Sequence, residues 1–184
     1  MIRLFVGIFL MLGTINVCAQ NYQKEAKKQQ KALVKEGWKI LPGDKPMAEQ
    51  LASSLELRSR SNTRVLVSEG SASTAVFEAA MKGSKMTAQR NLAGLFASSV
   101  SSLVQSSQSS ALEGFLSESV VKISASLRSN TVMTIYREQG GKYEFKTVVS
   151  CAMRDFWNLL PANDKEKLKT EFGLSDEALE NTGG

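Results

Sequence analysis

The chain of 184 residues has no histidine. Serine–histidine and cysteine–histidine nucleophile pairs are therefore excluded, and so is every imidazole metal ligand. Cysteine is nearly missing too: Cys18 and Cys151 cannot build a thiolate cluster, and Cys151 lies in the apolar run Val148-Val149-Ser150-Cys151-Ala152-Met153, the setting of an inert buried thiol. An intermolecular disulfide is the alternative use of that cysteine. Aromatic residues make up 7% of the chain, and none accompanies the lysines in a pattern that stacks bases, which argues against nucleic acid. No apolar run approaches the ~20 residues that span a bilayer. Neither the Walker phosphate loop nor the three-glycine dinucleotide fingerprint occurs, so the Gly70-Ser71-Ala72-Ser73 stretch reads as a strand-to-helix turn.

The first nineteen residues are read as a targeting segment. Arg3 supplies a positive start, Leu4 to Leu12 an apolar stretch, and Val17-Cys18-Ala19 a small-residue end, the pattern of a secretory signal cleaved after Ala19. The alternative is lipid attachment at Cys18, which Ile15, Asn16 and Val17 suit poorly as a preceding sequence. Removing residues 1–19 takes away Arg3 and no other charged side chain, so the net charge falls from +5 to +4. Lysines 24, 27, 28, 31 and 35 give the next segment a solvated helix face rather than a nucleic-acid patch, with at most a peripheral hold on an anionic surface.

Periodicity supplies the architecture. Phe77, Met81, Ala88, Leu92, Leu95, Phe96, Val100 and Leu103 recur at three- and four-residue steps, which predicts a helix of about 40 Å over Phe77–Leu103. Gly83 and Gly94 within it are expected at close approaches to neighbouring backbone. Before it, Arg64 to Ser73 reads as a strand, with Gly70 marking a bulge or a helix packed close. After it, eight of the thirteen residues from Ser98 to Ser110 are serine, which places a break and a flexible connector near Ser106–Ser110. A further helix carries Leu112, Phe115, Leu116, Val120, Ile123 and Leu127. Thr131–Arg137 and Lys142–Cys151 form a hairpin about Gln139-Gly140-Gly141. Val132, Thr134 and Tyr136 are expected on one face, opposite Met133 and Ile135; Tyr143, Phe145 and Thr147 on one face, opposite Val148.

At the N-terminal side, Tyr22–Glu36 reads as a helix closed by Gly37, and Trp38–Leu41 as a short extended piece. A second helix follows, with Asp44 as N-cap, Pro46 in the first turn, and Met47, Leu51, Leu55 and Arg58 in line. The arginines from Arg58 to Arg64 make a helix end or loop, an anion site being the alternative. A helix to Phe172 closed by Gly173, and a turn capped by Ser175, finish the chain. The fold class is α+β: a small antiparallel sheet, strand–helix–strand–strand, packed by a long helix with flanking N- and C-terminal helices. The organisation is a signal peptide at 1–19, a helical segment at 20–63, the α+β core at 64–153 and a C-terminal helical segment at 154–184.

Val65-Leu66-Val67-Ser68-Glu69-Gly70-Ser71-Ala72, Ala88-Gln89-Arg90-Asn91-Leu92-Ala93 and the hairpin Tyr136–Val149 together resemble the small bacterial envelope lipoproteins of the LPP type and the N-terminal domain of the flagellar-assembly protein FlgT. Glu36-Gly37-Trp38-Lys39 with Pro42-Gly43 resembles a set of exported Gram-negative proteins. The resemblance covers about Arg64 to Met153. It implies a dodecin-like strand–helix–strand–strand unit with no catalytic residues to carry over, and a lipidated cysteine that could only be Cys18.

For function, these readings point to a non-enzymatic exported envelope protein, periplasmic or secreted, acting as a structural or interaction module. Its partners are expected to be an envelope protein, a surface polymer or a second copy of itself. No catalytic, cofactor or metal residue is assigned. The alternative is a small-ligand or lipid carrier with Tyr136, Tyr143 and Phe145 lining a pocket. A hydrolase comes third: Ser119-Val120-Val121-Lys122 has a serine–lysine spacing without its companion motifs. Glu69, Glu113, Glu118, Glu138 and Glu144, the candidate carboxylates for glycoside chemistry, fall where surface positions are expected.

Overall fold

The computed structural model describes residues 21–60, 65–101, 115 and 129–172. In chain order these form helix α1 (21–35), strand β1 (Lys39–Ile40), helix α2 (Met47–Arg60), strand β2 (Val65–Thr74), helix α3 (Phe77–Ser101), strands β3 (Asn130–Gln139) and β4 (Lys142–Ala152), and helices α4 (Met153–Leu159) and α5 (Ala162–Phe172). The four strands make one antiparallel sheet in the order β1-β3-β4-β2. The α+β class is therefore as the periodicity indicates. Gly140 and Gly141, both at positive φ (60° and 71°), turn the β3–β4 hairpin in two residues, a geometry closed to most side chains. Residues 1–20, the connector near Ser106–Ser110, the helix expected across Leu112–Leu127 apart from Phe115, and the Gly173 and Ser175 signals lie outside the described residues.

Both faces of the sheet are covered, and the described residues form two cores. Strand alternation sends Leu66, Val149 and Cys151 to one side, where they meet Leu92, Phe96 and Val100 of α3, Met153 and Phe156 of α4, Leu168 of α5, and Leu160 between the last two helices. Phe96 and Phe156 stack there with ring centres 4.9 Å apart. On the other side Val67, Val148, Met133 and Ile135 pack with Met47, Leu51 and Ala52 of α2, Ala26 of α1 and Trp38. Arg137, held by both its Nε (2.8 Å) and Nη2 (2.7 Å) on Glu144 Oε2, lies over the Trp38 ring at 4.7 Å, as does Lys146. This pins the short β1 to the hairpin.

The seat of α3 is unusually close. Its N-terminal half buries Ala80, Ser84 and Ala88, four residues apart and all small, and the last two lie against Gly70 of β2. A β-carbon at Gly70 would run into the backbone of Ser84 and Ala88. At that contact Ser68 Oγ donates to the Ala88 carbonyl at 2.5 Å, and Ser84 Oγ and Thr147 Oγ1 share a buried hydrogen bond of 2.7 Å. No register shift breaks β2 against β4, so Gly70 marks close packing and not a bulge.

Four expectations are corrected. A shift of register between Thr131 and Met133 places a bulge at Val132, which packs with the Met133 and Ile135 core instead of sharing a face with Thr134 and Tyr136. Leu95 is 42% exposed and leaves the α3 stripe, because the buried face there turns toward Phe96, Ala97 and Val100. Gly94 touches nothing within 4 Å, whereas a β-carbon on Gly83 would lie 3.0 Å from Ala72 Cβ. Helix α2 begins at Met47, the Pro46 carbonyl accepting from the N–H groups of Glu49 (2.9 Å) and Gln50 (3.1 Å), so Asp44 is not its N-cap.

Candidate functional site: the outer edge of the sheet

The two edges of the sheet are treated differently. On the β3 side, Lys39 and Ile40 pair with Tyr136 and Ile135. One step along, the Thr134 N–H donates to Gln50 Oε1 at 3.0 Å, and the same amide donates through Nε2 to the Lys45 carbonyl at 2.7 Å. Gln50 is 5% exposed, a polar side chain buried to close a strand edge.

That bond also fixes which way the β2 backbone points. Because Thr134 turns its N–H away from β4, its opposite residue Thr147 directs its own backbone groups toward β2, where Gly70 faces it. Gly70 therefore points inward, and Val65, Val67, Glu69, Ser71 and Ser73 point their N–H and C=O groups out of the sheet. A separate contact agrees: Asn91 Nδ2 of α3 donates to the Glu69 carbonyl at 2.7 Å from the exposed side. Among the described residues no strand lies beyond β2.

Among the described residues the edge carries one guard, at its middle. Asn91 takes the Glu69 carbonyl, and Arg58 of α2 reaches the Glu69 carboxylate at 3.0 Å from the other face. A charge in mid-strand blunts indiscriminate pairing. Toward Thr74 the strand carries only Ser71, Ala72, Ser73 and Thr74, with no charge and no proline. Leu95, one helical turn beyond Asn91, continues the same flank of α3 and is exposed.

The residues singled out for chemistry are not brought together. Glu69 is paired with Arg58 and Glu144 with Arg137, while Glu138 is exposed opposite Tyr143 in the hairpin. Arg58 belongs to α2 and meets the Glu69 carboxylate, while the side chain of Arg60 and the whole of Arg64 lie outside the described residues. Tyr136, Tyr143 and Phe145 are gathered around one further ring. All three pack edge-on against Phe77, at ring distances of 5.3, 5.2 and 4.9 Å. Cys151 is buried, and its thiol pKa is pushed up to about 11, first by burial and then by the nearby Asp155 carboxylate. Ser119, Lys122, Glu113 and Glu118 lie outside the described residues. Among the described residues no three acidic or cysteine side chains are grouped so as to hold a metal ion, and no helix is long and apolar enough to cross a membrane.

What residue reasoning missed is the guard. Nothing in the sequence sets Gln50 and Asn91 apart from other helix amides, and only the strand register shows that one closes an edge and the other watches it. Comparisons with protein-family models, with curated proteins and with solved structures gave no match.

Proposed function

We propose that the chain is an exported, non-catalytic interaction module of the cell envelope, which receives an extended segment of a partner protein along β2. The observation that carries this reading is the unequal treatment of the two sheet edges. The β3 edge is covered at Tyr136 by β1 and at Thr134 by a buried glutamine, whereas the outward groups of β2 face no strand among the described residues. Strand addition supplies affinity through main-chain bonds, so it needs none of the catalytic side chains this sequence lacks.

The seat of α3 selects the occupant. Two copies pairing β2 with β2 about a two-fold axis near Gly70 would place their α3 helices over strands about 4.8 Å apart. Packed helices need about 8–10 Å between axes. A segment that brings no helix on that face avoids the clash, and an apolar side chain on it would meet Leu95. The favoured partner is thus a bare extended stretch of an envelope protein, not a second copy. Export is part of the proposal: the leader is removed after Ala19, and intact-mass analysis of the native protein should give a chain starting at Gln20, not a lipidated Cys18.

Proline tests the edge directly. Ser71→Pro and Ser73→Pro delete outward N–H groups without touching the ladder to β4. Full-length protein bearing either change should keep its circular dichroism spectrum and lose the partner that wild type and Ser71→Ala both capture from envelope extracts of the source cells. Capture unaffected by proline, or no capture by wild type, would contradict the proposal.

A further inference from the structure

Helix α3 packs on β2 and β4 but barely reaches β3, so the sheet steps away from it on the side opposite Asn91. The step leaves a cleft of about 320 Å³, lined by Met81, Lys82 and Lys85 of α3 and by Thr131, Thr134 and Thr147 of the sheet. Two features set this recess apart from ordinary surface. Its floor bears hydroxyls where a sheet face beneath a helix normally bears apolar side chains. Thr134 and Thr147 stand opposite each other in the register and are 6% and 1% exposed. Moreover, the bulge at Val132 is what puts Thr131 there. Residues three apart in a regular strand face opposite ways, and the extra residue turns Thr131 to the Thr134 side.

The hydroxyl accounting is directional. Ser84 Oγ donates to the Met81 carbonyl at 2.8 Å, so in the Ser84–Thr147 pair it is Thr147 that donates. Thr131 and Thr134 remain as hydroxyls in the lining of the cleft, which Lys82 and Lys85 share. Among the described residues Lys82 is held by Glu78 alone, 3.8 Å away with both side chains more than 70% exposed, a contact that an incoming anion displaces easily. Lys85 makes no ion pair among the described residues. Asp44 lines a separate recess of about 190 Å³ across the β3 edge, which shares Thr131 and Thr134.

We propose that this cleft binds a phosphate group carried by a small ligand or a lipid headgroup. Two lysines and three threonines in the lining of one recess match the charge and the acceptor oxygens of a phosphate ester. The volume is at the low end for ligand sites and suits a headgroup rather than an acyl chain. The site is independent of the β2 edge, so Ser71→Pro should leave it intact.

Two probes separate the sources: glycerol 3-phosphate, followed by calorimetry, and vesicles of phosphatidylglycerol against phosphatidylcholine, followed by flotation. Saturable binding to at least one phosphate probe is expected. Lys82→Ala with Lys85→Ala should weaken it about tenfold or more, the loss of one or two charge-assisted bonds. Lys85→Arg should retain it and Glu78→Gln should strengthen it. Binding to glycerol 3-phosphate alone marks a soluble ester as the ligand; flotation with phosphatidylglycerol that depends on Lys82 and Lys85 marks a headgroup. Lack of binding to either probe, or an equal loss on changing Lys27 and Lys28 of α1 to Ala, would overturn the proposal, because the attraction would then be absent or spread over the surface.

Discussion

Gly70→Ala should be the most damaging single methyl that can be added to this protein. The new carbon would fall within contact distance of Ser84 O and Ala88 N, and 2.8 Å from Ala88 Cα. Carbon atoms settle at about 3.5–4.0 Å, so α3 must lift by roughly 1 Å, and the obstacle is helix backbone that has no rotamer to change. Overpacking of this kind costs about 1–3 kcal/mol. Lifting the helix also stretches the Ser68–Ala88 bond of 2.5 Å and the buried Ser84–Thr147 bond of 2.7 Å, each contributing about 1 kcal/mol. A loss of about 3–5 kcal/mol is expected, a large share of the 5–15 kcal/mol typical of a domain. Urea unfolding followed by circular dichroism measures it. Gly94→Ala is the matched control: it sits mid-helix with nothing within 4 Å of its added carbon and should gain about 1 kcal/mol. If Gly70→Ala lies within 0.5 kcal/mol of wild type, α3 does not rest on β2 and the steric case against a two-fold dimer fails with it.

Three further expectations follow from the packing. Leu92, fully buried in the α3 core, should cost about 2–5 kcal/mol as Leu92→Ala in the same urea assay, while Leu95→Ala on the exposed flank should change stability by less than about 1 kcal/mol. Gln50→Leu leaves the Thr134 N–H buried without its acceptor and should cost about 1–3 kcal/mol, with faster amide exchange at Thr134 as the local sign. Cys151 should resist iodoacetamide in the folded protein at pH 8 and react on unfolding. Its pKa is raised from 9.0 to about 11, so between those values the unfolded thiol loses its proton and the folded one keeps it, and stability should fall as pH rises through that window.

Strand β2, helix α3 and the β3–β4 hairpin could be read from the sequence because each carries its own period and its own turn chemistry. The rest was hidden for physical reasons. Strand β1 has two residues, too few to alternate, and its place in the sheet depends on Trp38 being clamped by Arg137 and Lys146. The tight half of α3 buries Ala80 and Ser84, which carry little or no hydrophobic signal, so the stripe drew attention to Phe77 and Met81 beside them. The bulge at Val132 has no glycine to announce it. At the candidate site, Gly70 was legible as a close approach, whereas the outward direction of Ser71 and Ser73 is a property of the whole ladder. It passes from Gln50 through Thr134 and Thr147 before it reaches Gly70.

Amide hydrogen exchange of the isolated protein, resolved residue by residue along β2, tests the free edge without needing to know the partner. Gly70 and Ala72, bonded inward to β4, should exchange slowly, and Ser71 and Ser73 between them should exchange orders of magnitude faster. Equal protection at all four amides would mean that the edge is already covered in the isolated protein, and β2 could not be the surface that receives a partner.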